Sequence, residues 1–187
     1  MPKITEASLH NAALAHLARY AATEAGLRRV LANRIRRWAR EAEAEGQDVE
    51  AIAAEVAAGN ARAAAIAARL VQAGAVDDAV FAKARARRLM GGGRSARATL
   101  AHLAAKGVAG ETAREAIGQE DVPDELTSAV ILCRKRRMGP FATVEPDPVL
   151  RQKWLASLAR AGFGGEVARR ALRLPREEAE EILAARP

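Results

Sequence analysis

Apolar residues recur along this chain at the three-to-four spacing of an amphipathic helix, one segment after another. Leu9, Ala13, Leu14 and Leu17 form a stripe within residues 7–19. Leu27, Val30, Leu31 and Ile35 form a second, begun by the cap Thr23 with Glu24 behind it and anchored at its end by Trp38. A third stripe of Val49, Ile52, Ala53, Val56, Ala63, Ile66 and Leu70 predicts a long helix from the cap Asp48 to about Ala73, with Gly59-Asn60 as a candidate kink. Val80, Phe81, Ala84 and Leu89 mark the buried side of a fourth helix, and Leu100 and Leu103 that of a fifth, capped by Ser95. A short helix over Gly110–Ile117 and another from Leu126 to about Arg137 come next. Trp154, Leu155 and Leu158, then Val167, Ala168, Ala171 and Leu172, define two more. Pro175 suits the first turn of a last short helix, with Glu177, Glu178 and Glu180 early in it. No run of alternating β-branched residues predicts a strand.

One turn is written three times, as Leu70-Val-Gln-Ala-Gly74, Leu103-Ala-Ala-Lys-Gly107 and Leu158-Ala-Arg-Ala-Gly162. Glycine fits the left-handed residue that ends a helix, and Val108 or Phe163 supplies the apolar residue expected just after it. The first helices of three units also superpose, with Ala13–Arg19, Ala82–Arg88 and Ala129–Lys135 each running from a small residue to a cation. The pattern predicts an all-α fold of tandem three-helix units: 1–74 with an extended linking helix, 75–120, and 121–187 with a short helix added at its end. None buries enough apolar surface to stand alone, so neighbours must stack. Such arrays present binding surfaces more often than catalytic pockets.

Composition sharpens this. Half of the 187 residues are hydrophobic but only 3% are aromatic, so Ala-rich helix faces must pack closely without large anchors. The formal charge of +7, mostly from arginine, favours an acidic partner: nucleic acid, an anionic membrane or an acidic protein. Cys133 is the single cysteine and has no partner for an internal disulfide, which fits a reducing cytoplasm. Residues 1–20 lack the basic start and apolar core of a signal peptide, and no stretch has the length of a charge-free membrane span. The expectation is a soluble cytoplasmic protein.

Candidate chemistry is sparse. Gly91-Gly-Gly-Arg-Ser95 invites a phosphate-loop reading, but the Lys-Ser/Thr signature is absent and a helix precedes it, so a turn between helices fits better. Asp77-Asp78 reads as helix capping, since adjacent carboxylates do not face one another. His10, His16 and His102 lack metal-ligand spacing, and Cys133 has no evident partner base. Residues 95–117 look like a helix-turn-helix, yet the second helix offers Glu111 and Glu115 beside Arg114, which suits base reading poorly. No catalytic set, metal site, cofactor site or small-molecule substrate is predicted, so an enzyme is not expected. What stands out is basic. Arg85, Arg87 and Arg88 end one helix, Arg94 and Arg97 begin the next, and no acid falls between Ala79 and Gly110. Arg134, Lys135, Arg136 and Arg137 end another helix but surround it, so they cannot all face one ligand. Either group serves as a polyanion contact or as a solvated face with ordinary helix-end cations.

Taken in order, these segments resemble the RecX family, bacterial regulators of the RecA recombinase. The resemblance is carried by Asp77-Asp78-Ala-Val-Phe81-Ala82, by Gly93-Arg94-Ser95 ahead of Leu100-Ala-His-Leu103-Ala-Ala-Lys-Gly107-Val108, and by Leu158-Ala-Arg-Ala-Gly162-Phe163. Thr23-Glu24-Ala-Gly-Leu27-Arg28-Arg-Val-Leu31 resembles the first-repeat segment, although Gly26 stands where Glu is frequent and the reciprocal capping box is lost. The acidic, Ala-rich stretch from Ile35 to Gly59 and the insertion from Gly139 to Pro148 depart from the common pattern. The resemblance implies a curved, elongated, non-catalytic array of three-helix repeats. It also implies binding in the groove of the RecA filament on single-stranded DNA, with inhibition of its ATPase, strand-exchange and coprotease activities. Arg85, Arg88, Arg94 and Arg97, helped by some of Arg134 to Arg137, are the expected docking residues. General binding to DNA or RNA without RecA, and a helical scaffold for an unrelated protein, are the competing expectations.

Overall fold

A computed structural model describes residues 4–185 and shows ten α-helices, one 3₁₀ turn and no strand among them. The helices are α1 (Glu6–Leu17), α2 (Glu24–Ala44), α3 (Val49–Gln72), α4 (Asp78–Met90), α5 (Ala96–Ala105), α6 (Gly110–Ile117), α7 (Glu125–Arg136), α8 (Pro148–Arg160), α9 (Gly165–Arg173) and α10 (Arg176–Ala184). The chain divides into two compact units, 1–81 and 82–187.

Local chemistry sets the helix starts. The side chains of Thr5, Thr23, Asp48, Ser95, Asp124 and Asp147 each accept the amide of Ser8, Gly26, Ala51, Ala98, Thr127 and Leu150 respectively. Each cap contributes about 1 kcal/mol. Asp77 takes two amides, those of Ala79 and Val80.

In the first unit, Leu9 and Ala13 of α1, Leu27, Leu31 and Ile35 of α2, and Ile66, Ala67 and Leu70 of α3 make the core. The helix α3 runs unbroken through Gly59-Asn60. A Cβ on Gly59 would lie 3.0 Å from Ile4 Cδ1 and 3.4 Å from Ile35 Cδ1, so glycine there serves close packing. Val49, expected inside, is 72% exposed: it sits beside the α2–α3 turn, where α2 offers only Ala42 to the buried side. Ala53 and Leu14 are exposed as well. Trp38 packs on the core, but α2 continues past it to Ala44.

In the second unit α7 is the central helix, buried all round from Ser128 to Cys133 and packed by α9, α10 and the 3₁₀ turn at Gly139–Phe141. Helix α4 corrects the sequence reading. It buries Ala82, Ala86 and Met90, whereas Val80 is 65% exposed, Ala84 is exposed, and Phe81 and Leu89 are half-buried. The buried positions are Ala82, Ala86 and Met90, four apart along one face, so ranking positions by side-chain size gave the wrong phase. The small residues Ala13, Ala82 and Ala129 are all fully buried.

The repeated turns share one geometry. Gly74, Gly107 and Gly162 have φ of 70°, 88° and 96°. The carbonyls of Leu70, Leu103 and Leu158 accept the amides of Ala75, Val108 and Phe163 at 2.9, 3.1 and 3.1 Å. They do not occupy equivalent places, however. The turns after Leu103 and Leu158 end α5 and α8, while that after Leu70 ends α3. The turn that ends α2 is Ala42–Gly46, closed by the Gln47 amide on the Ala42 carbonyl at 3.1 Å. A further turn of this type ends α4, where the Arg94 amide reaches the Leu89 carbonyl at 3.0 Å.

Helix α7 ends in the same way, but with Arg137 in the left-handed position at φ 54°, ψ 48°. The Met138 amide closes the turn on the Cys133 carbonyl at 2.9 Å. A non-glycine residue there carries roughly 1 kcal/mol of strain. Arg137→Gly is therefore expected to stabilise this unit by about 0.5–1 kcal/mol, after the added flexibility of the unfolded chain is subtracted. A urea midpoint that stays put or falls would show that the arginine side chain repays the strain by its contacts.

An acid joint occurs twice. Asp78 Oδ1, from the first residue of α4, accepts the amide of Glu24, the first residue of α2, at 2.8 Å. Glu125 Oε2, from the first residue of α7, accepts the amide of Ala96, the first residue of α5, at 2.7 Å. Burial raises the Glu125 carboxyl above its ordinary range; the Ala96 amide opposes this and neighbouring Asp124 adds to it. Helix α8 opens on Pro148, which has no N–H, so it offers no third donor of this kind.

Candidate polyanion interface

The basic residues gather where α4 turns into α5. Arg85 and Arg88 stand three apart on α4 and share a face. Arg85 is half-buried and its Nε donates to His102 Nε2 of α5 at 3.0 Å. His102 and Lys106 stand four apart on α5. Burial, then Arg85, Arg94 and Lys106, hold the His102 imidazole below its usual range, so it is neutral near pH 7 and its Nε2 can accept the hydrogen bond from Arg85. The structure thus joins Arg85 and Arg94 with His102 and Lys106 into one cationic cluster, with Arg88 exposed beside Arg85 on the α4 face.

Other expected residues go elsewhere. Arg97 lies five residues before His102 on α5, about 140° round the helix, and its Nε sits 3.4 Å from where a Gly162 Cβ would be. Arg87 and Lys83 pair with Asp121 at 3.4 and 3.3 Å, away from the cluster. Lys135 Nζ donates to the Gly92 carbonyl at 2.7 Å, and Arg136 donates to Ser157 Oγ of α8 at 2.5 Å. Arg134 lines a shallow hollow with Phe141, Arg176, Glu180 and Leu183. Arg137 is exposed in its left-handed turn. The run from Arg134 to Arg137 therefore points several ways, and Lys135 and Arg136 hold the fold.

The triple glycine is a packing device. A Cβ on Gly93 would lie 3.0 Å from the Leu132 backbone nitrogen, and Lys135 grips the preceding carbonyl. Ser95 Oγ donates to the Ala161 carbonyl at 2.8 Å while it caps α5. This loop is thus wedged between α7 and the turn that ends α8. His102 and Lys106 escaped the sequence reading, which weighed His102 only as a metal ligand. The usable signal was their spacing of four on a helix within the acid-free stretch.

Among the described residues no three His, Cys, Asp or Glu side chains come together as a metal-binding group. Burial pushes the Cys133 thiol up to about 12, which keeps it protonated and poorly nucleophilic at neutral pH. Among the same residues no helix is long and apolar enough to cross a membrane.

Comparison with known proteins begins with residues 77–117, α4 to α6, which match the family model described as RecX, second three-helix domain. The regulatory protein RecX of Agrobacterium fabrum is 38% identical over 113 residues, 60% of each chain. The regulatory protein RecX of Myxococcus xanthus is 34% identical over 174 residues, 91% of this chain and 87% of that one. The chain belongs to the RecX family. Its all-α fold also matches the crystal structure of RecX from Lactobacillus salivarius with a TM-score of 0.58, over 94% of this chain and 97% of that one, at 16% identity. For a RecX-family regulator, the cationic cluster falls inside the segment that the family model matches.

Proposed function

We propose that this protein binds the RecA filament on single-stranded DNA and restrains its activities, acting in the cytoplasm as a regulator of recombination and repair without catalysis of its own. The observation that carries this reading is the Arg85–Arg94–His102–Lys106 cluster, with Arg88 exposed on the same α4 face, in a family of proteins named as regulators. Such a surface complements the phosphates and acidic side chains of a nucleoprotein filament. Three successive units, 1–74, 75–120 and 121–187, would be the repeating elements that present it.

The test is the single-stranded-DNA-dependent ATPase of RecA from the same organism, with this protein titrated from well below the RecA concentration. Inhibition at low ratio that excess DNA does not relieve is the expected result. Inhibition only near saturation, and relieved by added DNA, would instead assign the protein to general DNA binding. No effect on RecA by a protein of undiminished helicity would sink the regulatory reading.

A further inference from the structure

One arginine stands where the backbone asks for glycine. The turns that end α2, α3, α4, α5 and α8 carry Gly46, Gly74, Gly93, Gly107 and Gly162 in the left-handed position, whereas the turn that ends α7 carries Arg137 at φ 54°. Glycine would sit there without strain, so what the position gains lies in the side chain. That side chain is exposed and makes no ion pair or hydrogen bond among the described residues, so nothing there uses it. Two residues on, Gly139 presses the chain against α9: a Cβ on it would lie 2.8 Å from Leu172 Cα and 3.0 Å from the Leu172 carbonyl oxygen. The Arg137 turn is thereby fixed beside α9. That helix presents Arg169, Arg170 and Arg173 on its exposed side, spaced as neighbours on a helix face, and these too have no partner among the described residues. Helix α6, which follows α5 as α9 follows α8, shows that the fold does not require them. Gly110-Glu-Thr-Ala-Arg114 corresponds to Gly165-Glu-Val-Ala-Arg169. The two arginines lie alike, with Nη1 3.4 and 3.3 Å from where a Cβ on Gly110 or Gly165 would be. Beyond that point α6 exposes Glu115 and Gly118 where α9 exposes Arg170 and Arg173. One scaffold thus carries a net acidic face on α6 and a net basic face on α9.

We propose that Arg137, Arg169, Arg170 and Arg173 form a surface that binds the phosphodiester backbone of duplex DNA without the help of RecA. The inference goes beyond the filament reading and does not rest on it. A guanidinium fork matches two oxygens of one phosphate, which a lone ammonium does not. Charge recurs along a duplex every ~1.7 Å, so guanidinium groups from two elements find phosphates without a fixed register; the carboxylates of a folded protein offer no such continuity. Helix α9 carries no Asn or Gln to pair with adenine, and no aromatic ring on which an unpaired base could stack. That composition favours the backbone of a duplex over the bases of a single strand. Glu166 is the acid on the exposed side of α9, at its start, a turn away from Arg170 and Arg173.

Fluorescence anisotropy of a short labelled duplex of mixed sequence, titrated with the full chain over a range of salt and without RecA, reads this directly. Arg137→Gly should weaken binding about threefold to fivefold. It should also lower the slope of log affinity against log salt by about 0.9, the signature of one lost phosphate contact. Its urea midpoint should not fall, so the loss cannot be put down to unfolding. Arg170→Glu with Arg173→Gly writes the α6 pattern onto α9; it should weaken binding at least about tenfold and lower the slope by about 1.8. Arg114→Ala, on α6, should leave both quantities unchanged. No binding by the native protein, or an unchanged slope in either the Arg137 or the α9 variant, overturns the site. A single strand of the same length bound as tightly as the duplex overturns the duplex assignment. An oligoglutamate peptide that displaces the duplex at equal charge concentration would give the surface to an acidic protein instead. Because RecA is absent throughout, failure here leaves the filament reading standing, and failure of the ATPase test leaves this site standing.

Discussion

Reversing Arg85, Arg88, Arg94 and Arg97 to glutamate together is expected to raise the concentration needed for half-inhibition of RecA on the order of 100-fold. An exposed charge pair is worth at most about 1 kcal/mol, so no single arginine decides the outcome. Four contacts replaced by repulsion accumulate to a few kcal/mol, and each 1.4 kcal/mol is tenfold in affinity. The four are not equivalent. Arg85→Glu places a carboxylate against His102 and cancels the cluster from within, whereas Arg97 faces another side of α5 beside Gly162. The single Arg85 reversal should therefore cost more than the single Arg97 reversal. Arg87 is left alone because it holds Asp121. Reversal of Arg151 and Lys153, in the first turns of α8 and far along that helix from Gly162, is the matched control and should leave inhibition near its original level. Far-UV circular dichroism of each variant reports whether the helices persist. Retained inhibition in the fourfold variant would remove this surface from the docking reading.

What the sequence made legible is what neighbouring residues decide among themselves. Asp48, Ser95 and the three repeated glycines fix helix ends through bonds spanning three to five residues, and those ends fell where the sequence placed them. The acid pair Asp77-Asp78 shows where this stops. Asp77 caps its own helix as read, but Asp78 reaches the Glu24 amide, 54 residues back, and nothing local announces that. The buried side of α4 was misread because two alanines and Met90, not Val80 or Phe81, mark it, and in an alanine-rich helix side-chain size does not set the phase. The cationic cluster was half legible. Its arginines stand out as a charge run, but that Arg85 rests on an imidazole depends on how α5 lies against α4. A hydrogen bond between two helices leaves no period in either one.

Gly162→Ala is expected to destabilise the second unit by about 3–4 kcal/mol, a large part of the stability of an ordinary domain. Two effects add. The residue has φ of 96°, where an L side chain costs about 1–2 kcal/mol. Its Cβ would also stand 2.5 Å from Ser95 Oγ, a contact no relaxation of a long side chain can relieve, because Ser95 is fully buried. Displacing that hydroxyl breaks its bond to the Ala161 carbonyl and the cap on Ala98, worth about 1 kcal/mol each. The next residue, Ala96, is held by Glu125, so the start of α5 has little freedom to move aside. Gly74→Ala isolates the first effect: φ is 70°, but nothing lies within 4 Å of the new methyl, so only the backbone strain of about 1 kcal/mol is expected. Pairing Gly162→Ala with Ser95→Gly removes the clash, and because glycine replaces serine at a helix start at a cost of only about a few tenths of a kcal/mol, the pair should recover about 1 kcal/mol of the loss. Urea midpoints of the three variants measure each step. If Gly162→Ala costs no more than Gly74→Ala, the loop at Ser95 does not press on the end of α8, and the wedge between α7 and that turn is wrong.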